Sequence, residues 1–132
     1  MNNFTNLIYA DLSYEITGAL FAVHNELGRF CNEKQYGDRI EQEFKARSIK
    51  YEREKILPAS FEGEVAGRNK IDFIIEDKII LEIKARRILT KEDYYQVIRY
   101  LKAFDKKLGL LVNFRAKYIE PKRILNSEAR ED

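Results

Sequence analysis

Apolar residues recur along the first third of the chain at helical spacing. Ile16, Ala19, Leu20, Val23 and Leu27 fall three and four apart within residues 13–27, and Gly28 follows as a stop, so an amphipathic helix is predicted there. After a loop over residues 29–32, Tyr36, Ile40 and Phe44 repeat every four positions and predict a second helix ending near Ser48. The period then changes. Residues 51–63 alternate poorly and contain Pro58, which suits an edge or bent strand, and residues 62–69, with two glycines and an asparagine, predict a turn-rich connection. IDFIIEDKIILEIKA, residues 71–85, holds two β-branched runs around the polar triplet Glu76-Asp77-Lys78 and predicts antiparallel strands over 70–76 and 79–85. Thr90, followed by Lys91, Glu92 and Asp93, reads as an N-cap with first-turn acids, opening a helix that runs to about Asp105. The apolar run 108–114 suits a strand buried on both faces, and residues 115–125 a short last strand.

A helix between a hairpin and a buried strand is the crossover that parallel pairing needs. The order of elements therefore predicts an α/β (α+β) fold with a mixed central sheet flanked by helices. With 132 residues the chain is long enough for one core, and we expect a single domain over residues 1–125 and a fraying polar tail over 126–132. The lone Cys31 excludes an intrachain disulfide or a thiolate metal cluster. No targeting pattern or bilayer-length apolar run occurs, so a soluble cytoplasmic protein without membrane contact is expected. The 24 basic and 22 acidic residues leave a net charge of +2, which permits an anionic partner without demanding one. Charge placement must decide.

Several charges fall where the periodicity points inward. Along the second hairpin strand Ile80, Glu82 and Lys84 share a face and Ile79, Leu81 and Ile83 the other; in the first, Asp72, Ile74 and Glu76 oppose Ile71, Phe73 and Ile75. A three-residue loop of Glu76, Asp77 and Lys78 sets Asp72 opposite Glu82, whereas a two-residue loop sets it against Ile83 and separates the carboxylates. Glu33 lies three residues before Tyr36 and seven before Ile40, on the apolar stripe of its helix. Gln96, Tyr100 and Ala103 share a face of the later helix.

Ionised carboxylates in an apolar interior cost several kcal/mol each unless paired or metal-bound. Two or three of them with room for water suit Mg²⁺, with Mn²⁺ as a substitute, and a neighbouring lysine can stabilise charge in a phosphoryl transition state. Metal-assisted phosphodiester hydrolysis is the chemistry that fits.

Asp72, nine intervening residues, then Glu82-Ile83-Lys84 resembles the acidic core of the PD-(D/E)XK nuclease superfamily. Residues 28–36, GRFCNEKQY, resemble the signature of its small GxxExxY family, Gln96 to Tyr100 is similar to the QxxxY motif of its RecB-like exonucleases, and LGLLVNF resembles the strand that follows in GxxExxY proteins. The resemblance spans about Leu12 to Leu125. It implies a restriction-endonuclease-like core (αβββαβ), Glu33, Asp72 and Glu82 as metal ligands, Asp72, Glu82, Lys84 and Gln96 as the catalytic group, and Tyr36 and Tyr100 in support. Ile71 stands where the superfamily's nominal proline would be, and Phe30 where the GxxExxY pattern often has a second glycine.

Each residue also has a plainer reading. Glu82 and Lys84 could form a surface ion pair, Asp72 a turn, Glu33 a helix-start acid, Gln96 and Tyr100 the polar edge of a core helix, and Tyr36, His24 and Cys31 core filling. Arg86, Arg87, Lys91 and Arg99 cluster after the Glu82-Lys84 stretch and would meet phosphates. The expectation is a Mg²⁺-dependent nuclease acting on DNA, with RNA as the second choice of substrate, and a homodimer is the assembly that would suit action on two strands; its rival is a non-catalytic module that keeps the fold and binds nucleic acid or protein.

Overall fold

The computed structural model describes residues 7–65, 67 and 69–130. Among these described residues three helices and five strands follow the order read from periodicity: α1 (Ala10–Leu27), α2 (Glu33–Ala46), β1 (Tyr51–Ile56), β2 (Lys70–Ile75), β3 (Ile79–Lys84), α3 (Lys91–Phe104), β4 (Leu108–Asn113) and β5 (Lys122–Leu125). Local chemistry sets the helix ends. Gly28 closes α1 at φ 76, a left-handed conformation that costs glycine little. Asn32 opens α2 through a reciprocal cap with Gln35, and Thr90 opens α3 through the same arrangement with Asp93.

The strands form one mixed sheet in the order β1-β2-β3-β4-β5, an α+β architecture. β1 is an edge strand, and Pro58 lies beyond its end, where no ladder N–H is needed. β3 and β4 pair in parallel from Ile79–Leu108 to Lys84–Asn113, with α3 as the crossover between them. Their apolar runs are explained by cover on both faces. On one side Ile16, Leu20 and Val23 of α1 and Tyr36, Ile40 and Phe44 of α2 pack against the sheet. On the other, Val97, Tyr100 and Leu101 of α3 pack against Ile74, Ile80 and Leu111. Gly109 permits that approach, since a Cβ there would lie 2.6 Å from Val97 Cγ1.

Two expectations need correction. Ile71 belongs with Ile74 and Ile80 under α3, not with Phe73 and Ile75, so strict alternation along β2 breaks at Asp72. The tail does not fray from its first residue: Asn126 is buried, its N–H donates to Lys107 O at 2.9 Å and its Nδ2 to Lys106 O at 3.1 Å. Residues 131 and 132 of that tail, Ala66 and Arg68 of the turn-rich connection, and residues 1–6 lie outside the described residues. Among the described residues no helix is long and apolar enough to cross a membrane.

Candidate active site

The hairpin between β2 and β3 turns through the triplet Glu76-Asp77-Lys78, with Glu76 and Asp77 at φ 54 and 56 and Lys78 N–H donating to Ile75 O at 2.9 Å. Pairs Ile75–Ile79, Ile74–Ile80 and Phe73–Leu81 follow, a register that brings Asp72 across from Glu82. There the ladder stops and side chains take it over. Asp72 N–H donates to Glu82 Oε2 at 2.7 Å, and Ile83 N–H donates to Asp72 Oδ2 at 2.8 Å. Each strand's carboxylate thus satisfies a main-chain donor of the other, holding the strands apart while keeping the gap free of orphan N–H groups. The β1–β2 ladder omits the facing pair Glu54–Asp72 as well, with Glu54 at φ 55. This local opening is why Ile71 leaves the alternating pattern.

Lys84, two residues beyond Glu82, donates its Nζ to Gln96 Oε1 of α3 at 3.0 Å and lies 3.9 Å from Asp93 Oδ1. Asp93 is buried and also meets Arg86 at 2.9 Å. Asn113, the partner of Lys84 in the parallel ladder, grips the main chain of Arg86 in both directions, accepting its N–H at 3.1 Å and donating to its carbonyl at 2.7 Å. The end of β3 is therefore fixed from α3 and from β4. Tyr100 lies buried beneath, close enough to Glu82 to feel its charge.

Residues 28–36 act as one unit. The Tyr36 hydroxyl donates to Gly28 O at 2.5 Å and accepts from Cys31 N–H at 3.2 Å, and its ring stacks on Phe114 at 4.3 Å. Glycine supplies the left-handed turn, tyrosine ties the loop closed, and Glu33 is displayed as the first residue of α2. Glu33 is exposed rather than buried in the apolar stripe, and its Oε2 accepts from Ala85 N–H at 3.2 Å, at the end of β3. Asn32 and Gln35, not Glu33, cap the helix. His24 is structural, its Nε2 lying 3.2 Å from Phe114 O and 3.0 Å from Ala116 O.

A cleft of about 220 Å³ opens beside Asp72, lined by Glu33, Lys34, Gly37, Arg53, Glu54 and Ile83. Arg53 was not singled out by sequence. It crosses from β1 to α2, bonding Asp38 at 2.7 Å and Glu41 at 3.0 Å, over Gly37, where a Cβ would come within 2.5 Å of the guanidinium. Asp93 and Asn113 were likewise missed as site residues, although the Thr90–Asp93 capping signature and an asparagine ending an apolar strand were both readable. Arg87, Lys91 and Arg99 stand exposed, and Arg86 is already engaged by Asp93.

Burial dominates the electrostatics. Desolvation pushes the Asp72 carboxyl up to about 6, partly relieved by the Ile83 N–H bond and the Lys84 charge. Glu82, only 3% exposed, is raised well above its ordinary range by desolvation and then by the neighbouring Asp72. Burial and the Glu82 charge push the Tyr100 hydroxyl to about 12. Two adjoining carboxyls, one half-buried and one buried, each with one oxygen engaged by a main-chain N–H and the other left over by those bonds, form a donor set suited to a hard divalent cation that keeps several waters. Among the described residues no three acidic, histidine or cysteine side chains converge as a complete cluster; Glu33 lines the same cleft as Asp72, and its charge helps raise both carboxyls.

No curated protein matches the chain, and no solved structure does. A family model does match, over residues 10–124, nearly the whole described fold, and its description is the PD-(D/E)XK nuclease superfamily. The five-stranded mixed sheet and flanking helices agree with a restriction-endonuclease-like core. On the match and the carboxylate-and-lysine geometry at the opened hairpin, the chain belongs to the PD-(D/E)XK nuclease superfamily.

Proposed function

We propose that the protein is a metal-dependent nuclease that hydrolyses phosphodiester bonds in DNA or RNA. The observation that carries this reading is the pair of half-buried Asp72 and buried Glu82, brought together where β2 and β3 part, with Lys84 two residues further along the strand. A pair that raises its own proton affinity so strongly is costly as a structural feature and useful as a cation site. Superfamily membership supports a nucleic-acid substrate and a divalent metal. Asp72 and Glu82 would hold Mg²⁺ or Mn²⁺, and Glu33 would take a metal-bound water or complete the shell. The ion, when bound, supplies Lewis-acid stabilisation and a more acidic water.

The remaining roles fall to the chain itself. Lys84, held by Gln96 Oε1, orients the attacking water and offsets negative charge developing on the phosphate. Tyr100 excludes solvent beneath the pair, and Tyr36 keeps the Glu33 loop in place. Arg87, Lys91 and Arg99 meet flanking phosphates, and Arg86 does so while anchored by Asp93.

The test is cleavage of labelled single- and double-stranded DNA and RNA with Mg²⁺, Mn²⁺ or EDTA. Cleavage that needs the metal and is lost in Lys84→Ala is expected. Protein inert on all four substrates with both metals would refute the proposal.

A further inference from the structure

A second chemical feature lies at the same end of the sheet, outside the residues assigned above. Arg29, in the loop before α2, and Arg115, just beyond β4, bind each other's backbone: Arg29 Nε donates to Arg115 O at 2.9 Å, and Arg115 Nε donates to Arg29 O at 3.0 Å. Both guanidinium groups lie over the ring of Phe30, at 5.0 Å and 5.7 Å from its centroid. The ring is nonetheless 77% exposed. Neither arginine meets a carboxylate among the described residues.

Three facts separate this cluster from an ordinary exposed loop. An exposed phenylalanine gains nothing from solvent, and two like charges fixed side by side repel, so the arrangement favours a ligand that is flat, apolar on its face and anionic at its edge. Its support is rigid, since Tyr36 ties Gly28 and Cys31 on one flank and His24 holds the carbonyls of Phe114 and Ala116 on the other. It also adjoins the candidate site. Phe114 N–H donates to Lys84 O at 2.8 Å, Arg115 N–H to Asn113 Oδ1 at 3.2 Å, and Glu33 follows Phe30 by three residues.

We propose that Phe30, clamped by Arg29 and Arg115, is a stacking platform for an unpaired base, and that it selects single-stranded or frayed nucleic acid for the adjacent site. A nucleobase stacks on the ring while the guanidinium groups contact the phosphates on either side of it; a paired base inside a duplex cannot present its face this way. The inference rests on the nucleic-acid reading of the site and extends it to strandedness.

The experiment is fluorescence anisotropy in EDTA with a short labelled single strand, the same strand with abasic positions, and its duplex, for wild type, Phe30→Ala and Phe30→Trp. Phe30 is exposed, so both variants should keep the fold, which circular dichroism checks. Phe30→Ala should weaken single-strand binding by about 5- to 100-fold, Phe30→Trp should retain it, and the difference should vanish on the abasic strand and on the duplex. Undetectable single-strand binding by wild type, unchanged binding by Phe30→Ala, or an equal loss on single strand and duplex would each overturn the platform. A parallel cleavage assay separates the two claims. Metal-dependent cleavage with no Phe30 effect refutes only the platform, and a Phe30 effect on binding with no cleavage refutes only the nuclease.

Discussion

Asp72→Asn should make the metal-free protein more stable at alkaline pH. The unfolded chain releases the Asp72 proton near its ordinary value of 3.8, whereas burial holds the folded carboxyl at about 6. Below about pH 4 both states carry the proton and the site costs nothing. Between the two values the unfolded state ionises first, so stability falls as pH rises, and above about 6 the penalty is complete. At about 1.4 kcal/mol per pH unit that penalty is about 3 kcal/mol. Glu82 adds to it in the same direction, because its carboxyl too is raised by burial and by Asp72. An asparagine removes one charge, keeps an oxygen for the Ile83 N–H, and can donate its amide toward Glu82.

Thermal unfolding followed by circular dichroism reads this directly. For a chain of this size about 3 kcal/mol corresponds to a Tm increase on the order of 10 °C. The increase should be full at pH 8, smaller near pH 5 and absent near pH 4. Saturating Mg²⁺ should close most of the gap, because an ion at a hundred times its Kd stabilises wild type by about 2.7 kcal/mol and should stabilise Asp72→Asn little. A variant less stable than wild type at pH 8 without metal, or a difference independent of pH, would show that the main-chain bonds outweigh the repulsion and would refute the reasoning.

Four other substitutions test separate parts of the structure. Lys84→Ala should lower the cleavage rate by about 100- to 1,000-fold with a folded circular dichroism spectrum, measured on labelled oligonucleotides in Mg²⁺. Gly109→Ala forces a methyl group against Val97 and should cost about 1–3 kcal/mol in urea unfolding. Tyr36→Phe deletes the hydroxyl joining Gly28 O to Cys31 N–H; a loss of about 1–2 kcal/mol is expected, with faster hydrogen exchange at Cys31. Asp93→Ala removes the Thr90 cap and leaves Arg86 unpaired at the end of β3, and should cost about 1–3 kcal/mol by the same urea measurement.

What could be read from sequence divides along a physical line. Relations set by local geometry were readable: helix stripes from the three- and four-residue spacing, and, because a side-chain period of two makes register follow from loop count, the rule that a three-residue turn joins Asp72 to Glu82 and a two-residue turn parts them, which the structure decides for the first. The alternation failed at Ile71 for the same reason the site exists. Periodicity assumes that backbone pairs with backbone, and at Asp72 carboxylates replace the ladder partners, so the rule breaks where polar side chains are recruited into the sheet's own hydrogen bonding. Contacts between distant segments carry no period at all. Arg53 with Asp38 and Glu41 arises only when β1 lies against α2, and Asn113 with Arg86 and Arg29 with Arg115 only when the topology sets the α1–α2 loop and the ends of β3 and β4 side by side. The acidic pair that periodicity finds is therefore the part specified by one hairpin, while the groups that fix Lys84, screen Asp72 and would receive a strand are specified by the whole sheet. Substitutions at the pair should act on metal affinity and pH dependence, and substitutions at the converging ends should act on how a strand is held and presented.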